Sequence, residues 1–400
     1  MKKIVLILNL LLILTSCNAI KTIKILNMGN AAQKNYKEEI FFESRAGLIV
    51  VKVTIGGKEY NFIYDTGAVN AVTKELAEAL HLKPILDQTA QDSEGKKGGI
   101  KFALIDELKL GKISFLNTSA AIIDLNAVPE LACLHVDGLI GANMMRKAFW
   151  QINYVKHSLI VASSMDSLSV PENAFSFPFK PVISGTPIVE VELNGIKSKG
   201  NIFDTGSTGE ITLSSPTFKN VLKQNPGFKY LRGIGSSSAG LYGKGNDTNY
   251  MAKTDMLKMG NLLINNRVIE FKRDDGNLGS AFFKDYIVTL DWKQNKIWFA
   301  PQPKNEQEWD TFGFSATKDN KKLIVSYLIE NSPAALAGIK LGDEVISVNG
   351  KNYTNMEVED YCEMLDKQAL WKKEKNMQLV LKNESGIEKI VTLEKKKLFN

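Results

Sequence analysis

Apolar and polar residues alternate over Val51-Lys52-Val53-Thr54-Ile55 and stop at Gly56-Gly57. The pattern returns at Val189-Glu190-Val191-Glu192-Leu193, closed by Asn194-Gly195, an offset of 138 residues. A period of two ending in a turn residue predicts a strand and a hairpin bend. Each copy is followed by a second apolar strand that runs into the same tripeptide. The first is Phe62-Ile63-Tyr64-Asp65-Thr66-Gly67 and the second Ile202-Phe203-Asp204-Thr205-Gly206. A helix signal comes next in both: Thr73 as a cap over residues 74–80, and Ser215 followed by Pro216. Asp137-Gly138-Leu139-Ile140-Gly141 then matches Asp275-Gly276-Asn277-Leu278-Gly279, again 138 apart, and closing strand patterns over 151–162 and 289–300 keep the spacing. Ordered matches at a near-constant offset predict two similar, mainly β lobes, at residues 41–165 and 166–302.

Residues 303–400 lie outside this repeat. Residues 321–329 carry a strand signal, and Ser332-Pro333 and Gly338 bound a short helix, so strand and helix are both expected there. At the other end, Lys2 and Lys3 precede an apolar run from Ile4 to Leu14, interrupted by Asn9. The run is short for a bilayer and ends in small residues, which predicts a secretory leader over residues 1–17; an N-terminal anchor helix is the alternative. Residues 18–40 are polar without a sustained period and are expected to be a tether holding the body off a membrane.

Composition narrows the chemistry. With 44% hydrophobic and 24% charged residues the chain is globular rather than disordered. The net charge of +6 is carried almost wholly by lysine; Arg45, Arg146, Arg232, Arg267 and Arg273 are scattered, which argues against a nucleic-acid reader. Three histidines and three cysteines without CxxC, HExxH or HxH spacing leave no zinc site, and neither a metal nor a cofactor is expected. The lack of a GxSxG turn beside a histidine disfavours a serine hydrolase. Cys133 and Cys362, far apart in sequence, are expected as separate buried thiols rather than a disulfide.

A lone Asp-Thr-Gly is a turn, but two copies after apolar strands on equivalent lobes resemble the aspartic peptidases, both the two-lobed pepsin-like enzymes and the dimeric retropepsins. The resemblance spans about residues 45–300. It implies two duplicated β lobes with a shared active-site cleft, Asp65 and Asp204 as the catalytic pair, and Thr66, Gly67, Thr205, Gly206 and Ser207 as their support. Two carboxylates close together cannot both ionise, so one serves as base and the other as acid. Ala68 follows the first tripeptide and Ser207 the second. A serine hydroxyl donating to Asp204 would make Asp204 the anion and leave the shared proton on Asp65. Asn277 departs from the apolar pattern of its lobe-1 counterpart. Two glycine-rich stretches, 91–99 and 233–245 with Tyr242, are alternative candidates for a flap over the cleft.

The run Ser332-Pro333-Ala334-Ala335-Leu336-Ala337-Gly338-Ile339-Lys340-Leu341-Gly342-Asp343-Glu344-Val345-Ile346-Ser347-Val348-Asn349-Gly350 resembles the PDZ domains of bacterial proteases. By that resemblance the unit is an α+β domain, Phe312, Gly313 and Phe314 form a carboxylate-binding loop, a peptide adds as a strand beside residues 322–328, and a helix near residues 356–365 forms the other groove wall. The alternative is that the unit only packs on the protease body. Leu14-Thr15-Ser16-Cys17 resembles the lipobox of bacterial lipoproteins, which implies acylation at Cys17. The expectation is an exported, lipid-anchored, monomeric aspartic endopeptidase acting on peptide or protein substrates. The competing readings are a non-catalytic peptide-binding lipoprotein and a PDZ adaptor.

Overall fold

The computed structural model describes residues 5–6, 10–13, 19–92, 94–245, 248–254, 256–272, 275–303, 309–371 and 374–399. Both predicted hairpins form. Leu48–Ile55 pairs antiparallel with Lys58–Asp65, and Pro187–Leu193 with Ile196–Asp204. The alternation buries Val51, Val53 and Ile55 in one lobe and Val189, Val191 and Leu193 in the other. Each aspartate strand is then flanked in parallel by a short inner strand. Gly138–Gly141 brings Gly141 opposite Asp65, and Asn277–Gly279 brings Gly279 opposite Asp204. The helix Lys74–Ala79 starts as expected, with Thr73 Oγ1 accepting from the Leu76 N–H at 3.2 Å. Its counterpart, Ser215–Gln224, is capped by Ser214, one residue before the predicted cap. The protein is mainly β, with two duplicated lobes and a C-terminal α+β unit.

A six-stranded sheet joins the lobes. Its centre pairs Phe149–Asn153 of the first lobe with Tyr286–Asp291 of the second, antiparallel, with Gln151 opposite Thr289. Those two residues are 138 apart, so the repeat meets itself there, and Gln151 Nε2 donates to Thr289 Oγ1 at 2.9 Å. Tyr64, Trp150, Phe203, Phe283 and Phe299 belong to one hydrophobic cluster that runs through both lobes. The lobes therefore share a core, which fixes the two aspartate strands relative to each other.

Two sequence expectations are corrected. Residues 19–41 are no tether. The helix Ala19–Leu26 buries Thr22, Ile25 and Leu26, one face at helical spacing, and Lys37–Phe41 forms the edge strand of the six-stranded sheet. Cys133 and Cys362 are a disulfide, closing a loop of 229 residues between the first lobe and the C-terminal unit. Two short strands, Val5–Leu6 and Leu10–Ile13, lie beside Ser238–Gly240 and Leu86–Asp92. Cys17 lies outside the described residues. No helix among the described residues is long and apolar enough to cross a membrane.

Candidate active site

The two tripeptides meet at the lobe boundary and exchange hydrogen bonds reciprocally. The Thr66 N–H donates to Thr205 Oγ1 at 3.0 Å, and the Thr205 N–H to Thr66 Oγ1 at 3.0 Å. Thr66 Oγ1 donates to the Phe203 carbonyl at 2.6 Å, and Thr205 Oγ1 to the Tyr64 carbonyl at 2.9 Å. Each hydroxyl thus spends its proton on the opposite strand and accepts an amide from the opposite turn. Asp65, Thr66, Asp204 and Thr205 are all 0% exposed, so these bonds have no competing water. The glycines follow from the close approach. A Cβ on Gly67 would fall 2.6 Å from the Asp204 carboxyl carbon, and one on Gly206 would fall 2.2 Å from that of Asp65.

The carboxyls are bonded unequally. Asp65 Oδ1 accepts from the Gly67 and Ala68 N–H groups at 2.8 and 3.1 Å. Among the described residues nothing donates to Asp65 Oδ2. Asp204 Oδ1 accepts from the Gly206 N–H at 2.8 Å, and its other oxygen accepts from Asn277 Nδ2 at 2.8 Å. Burial pushes both pKa values up, and the charge of Asp204 pushes Asp65 further, well above the carboxylate range. Burial raises Asp204 only to about 6, because the Asn277 amide, Asp65 and the Gly206 N–H all favour its anion. The proton belongs on Asp65, hydrogen-bonded to Asp204.

Asp204 is thus favoured as the anion, but not for the reason the sequence suggests. The Ser207 hydroxyl accepts from the Gly209 N–H at 3.3 Å, while the Ser207 N–H reaches the Asp204 carbonyl. Asn277 supplies the side-chain donor instead. Its signal in the sequence was the polar residue in a strand whose lobe-1 counterpart carries Leu139.

The two stretches offered as flap candidates touch each other. Leu86–Asp92 and Lys97–Leu110 form the first-lobe hairpin. At its tip Asp92 Oδ2 accepts the Tyr242 N–H at 2.7 Å, and Glu94 Oε1 accepts the Ser238 hydroxyl at 2.8 Å. Lys272 lies 3.5 Å from Glu94 Oε2, a buried ion pair between the lobes. The Tyr242 ring covers Gly98, where a Cβ would fall 2.5 Å from it. Together these contacts fasten the two stretches to each other across the lobes.

The residues expected as a carboxylate-binding loop are engaged within the C-terminal unit. Phe312 and Phe314 are 0% and 1% exposed, inside the core of the C-terminal unit. The Gly313 N–H is taken by Thr311 Oγ1 at 3.0 Å and its carbonyl by the Ile329 N–H at 2.8 Å. The edge expected to receive a peptide is also filled. Leu231–Gly235 of the second lobe pairs with Lys322–Ile329, Ile234 opposite Leu328.

Comparison with known protein families finds an aspartyl protease match over residues 51–144 and a PDZ domain match over residues 324–370. No curated protein matches the chain. The chain therefore carries an aspartyl protease-like domain, with Asp65 inside the matched region, and a PDZ domain.

Proposed function

We propose that the protein is an aspartic endopeptidase of the two-lobed pepsin and retropepsin type, with Asp65 and Asp204 as its catalytic pair. One observation carries the reading: equivalent turns from two lobes exchange threonine bonds and leave two buried carboxyls, one protonated and one disposed to ionise. That is the state from which a water can be activated without a covalent intermediate. The Asp204 carboxylate takes a proton from water as the water oxygen attacks the peptide carbonyl carbon, and Asp65 gives its proton to the carbonyl oxygen. The tetrahedral intermediate collapses as Asp204 passes the water's proton to the nitrogen, Asp65 takes one back from a hydroxyl of the intermediate, and the C–N bond breaks. The closed flap is the resting arrangement, and substrate entry requires the Asp92–Tyr242 and Glu94–Ser238 bonds to part.

The same reading extends to location. Removal of residues 1–16 and acylation of Cys17 would tie the body to a membrane on the exported side. It would also take away the Val5–Leu6 and Leu10–Ile13 strands, baring the Leu86–Asp92 edge for an extended peptide. One chain supplies both aspartates, so a monomer suffices, and peptides or proteins are the expected partners.

Full burial of the dyad favours a second reading, a cleft that holds peptides without cutting them. Cleavage of an unstructured protein between acidic and neutral pH separates the two. Turnover that falls about a thousandfold or more in Asp204→Asn and is blocked by pepstatin supports the peptidase. Equal turnover in the variant removes it.

A further inference from the structure

The PDZ-like unit is tied to the cleft by a continuous set of contacts. The short first-lobe helix Pro129–Ala132 lies against the helix Val358–Trp371, and the disulfide Cys133–Cys362 joins them. Glu130, 1% exposed, reaches into the unit. Its Oε1 accepts the Thr317 hydroxyl at 2.6 Å and the Tyr361 hydroxyl at 2.7 Å, one from the strand Phe314–Asp319 and one from that helix. Cys133 packs against the unit's core. Residues 129–133 therefore occupy the space between strand and helix as an internal ligand.

The same carboxylate is linked to the flap. Lys244 Nζ lies 3.4 Å from Glu130 Oε1 and donates to the Lys318 carbonyl at 2.8 Å. Two residues earlier in the same loop, the Tyr242 N–H holds Asp92 at the flap tip. The loop's other end is sewn to the PDZ-like unit by the Leu231–Gly235 strand and by the Ser236 N–H on the Ser326 carbonyl at 2.7 Å. One short segment is thus fastened to the PDZ-like unit at both ends and to the flap in between.

We propose that Cys133–Cys362 is a redox latch: intact, it seats residues 129–133 in the PDZ-like unit and, through Glu130 and Lys244, keeps the flap closed over Asp65 and Asp204. Both cysteines are partly exposed, so a reductant can reach them. The reductant is a dithiol. One of its thiolates attacks a disulfide sulfur to form a mixed disulfide, and the second resolves it. Two electrons and two protons pass to the protein, leaving Cys133 and Cys362 as thiols and the dithiol oxidised. The internal ligand then detaches, the space between strand and helix opens to other peptides, and the loop at residues 236–245 releases the flap. The consequence for turnover rests on the peptidase reading; the opening itself does not.

The test is hydrogen–deuterium exchange on the full chain, oxidised and after dithiothreitol, beside Cys133→Ser/Cys362→Ser and Lys244→Met. Reduction should speed exchange about tenfold or more at residues 86–103 and 236–245 while the sheet formed by Phe149–Asn153 and Tyr286–Asp291 stays protected. Lys244→Met, with the disulfide intact, should reproduce the change at both segments. Unchanged flap exchange on reduction overturns the latch, as does a uniform rise that includes the central sheet, since the disulfide would then be a plain staple. No response to Lys244→Met overturns the route through Glu130. Local opening without peptide cleavage in either state supports the latch and counts against the peptidase.

Discussion

Replacing Asn277 with leucine, the residue its first-lobe counterpart already carries, isolates the asymmetry of the dyad. The change keeps the branched outline and heavy-atom count, though methyl groups are bulkier than the amide, and removes the Nδ2–H that meets Asp204 at 2.8 Å. A hydrogen bond to a charged acceptor contributes about 1.5–3 kcal/mol. At about 1.4 kcal/mol per pH unit, its loss should raise the Asp204 pKa by about one to two units. The sign follows from which form is favoured: the amide supports the anion, so without it the carboxyl holds its proton to higher pH. The wild-type carboxyl lies at about 6. The acidic limb of the kcat/KM profile, which reports the pair as a unit, should move upward by that amount while the alkaline limb changes less. Ser207→Ala is the matched control. Its hydroxyl accepts from Gly209 rather than donating to Asp204, and alanine keeps the backbone N–H, so the limb should stay in place. An unmoved limb in Asn277→Leu, or an equal shift in Ser207→Ala, refutes the assignment. A variant melting like wild type excludes a folding artefact.

Two further outcomes follow from the buried groups. Asp65→Asn keeps the acceptor for Gly67 and Ala68 and gives Asp204 a permanent donor, so it should abolish turnover yet stabilise the fold. Asp65 is raised in the native state, so the wild type loses stability as pH climbs above the unfolded value near 4, and the variant's advantage should grow by up to about 1.4 kcal/mol per pH unit. Urea unfolding at pH 4 and pH 6 checks this; an advantage that does not change with pH contradicts it. Thr66→Val strands the Phe203 carbonyl and the Thr205 N–H in the interior, which should cost about 3–5 kcal/mol in the same assay, with Thr66→Ser recovering most of it. A loss below about 1 kcal/mol would mean that the lobes are held by their shared core alone.

What the sequence makes legible is whatever is written locally and repeated. The alternating strands, the Asp-Thr-Gly turns and the short helices each depend on a few adjacent residues, and the 138-residue offset turns local signals into a statement about two lobes. Legibility fails where the deciding partner is distant. Cys133 and Cys362 are 229 residues apart, and no local pattern says that a helix of one lobe touches a helix of the last unit. Phe312 and Phe314 look the same whether they line a groove or fill a core; only the packing distinguishes them. The helix Ala19–Leu26 is two turns long, too short for its buried face of Thr22, Ile25 and Leu26 to rise above a polar stretch. The Ser207 expectation failed for a related reason. A hydroxyl three residues beyond an aspartate can point either way, and the neighbouring Gly209 amide claims it.

The position of the shared proton depends on how donors are distributed rather than on how many there are. Asp65 receives two backbone donors, both on one oxygen, so its other oxygen can carry a hydrogen without giving up a bond. Asp204 receives a donor on each oxygen, so protonating the one that faces Asn277 would break a bond. Everything else at the junction is close to two-fold symmetric: the threonine exchange, the parallel strand beside each aspartate, and Gln151 opposite Thr289. A pair built from identical halves would have no preference for either carboxyl. A single chain can change one half alone, and one polar residue on one inner strand is enough to separate acid from base. The cost is that the proton must return to Asp65 before each new cycle.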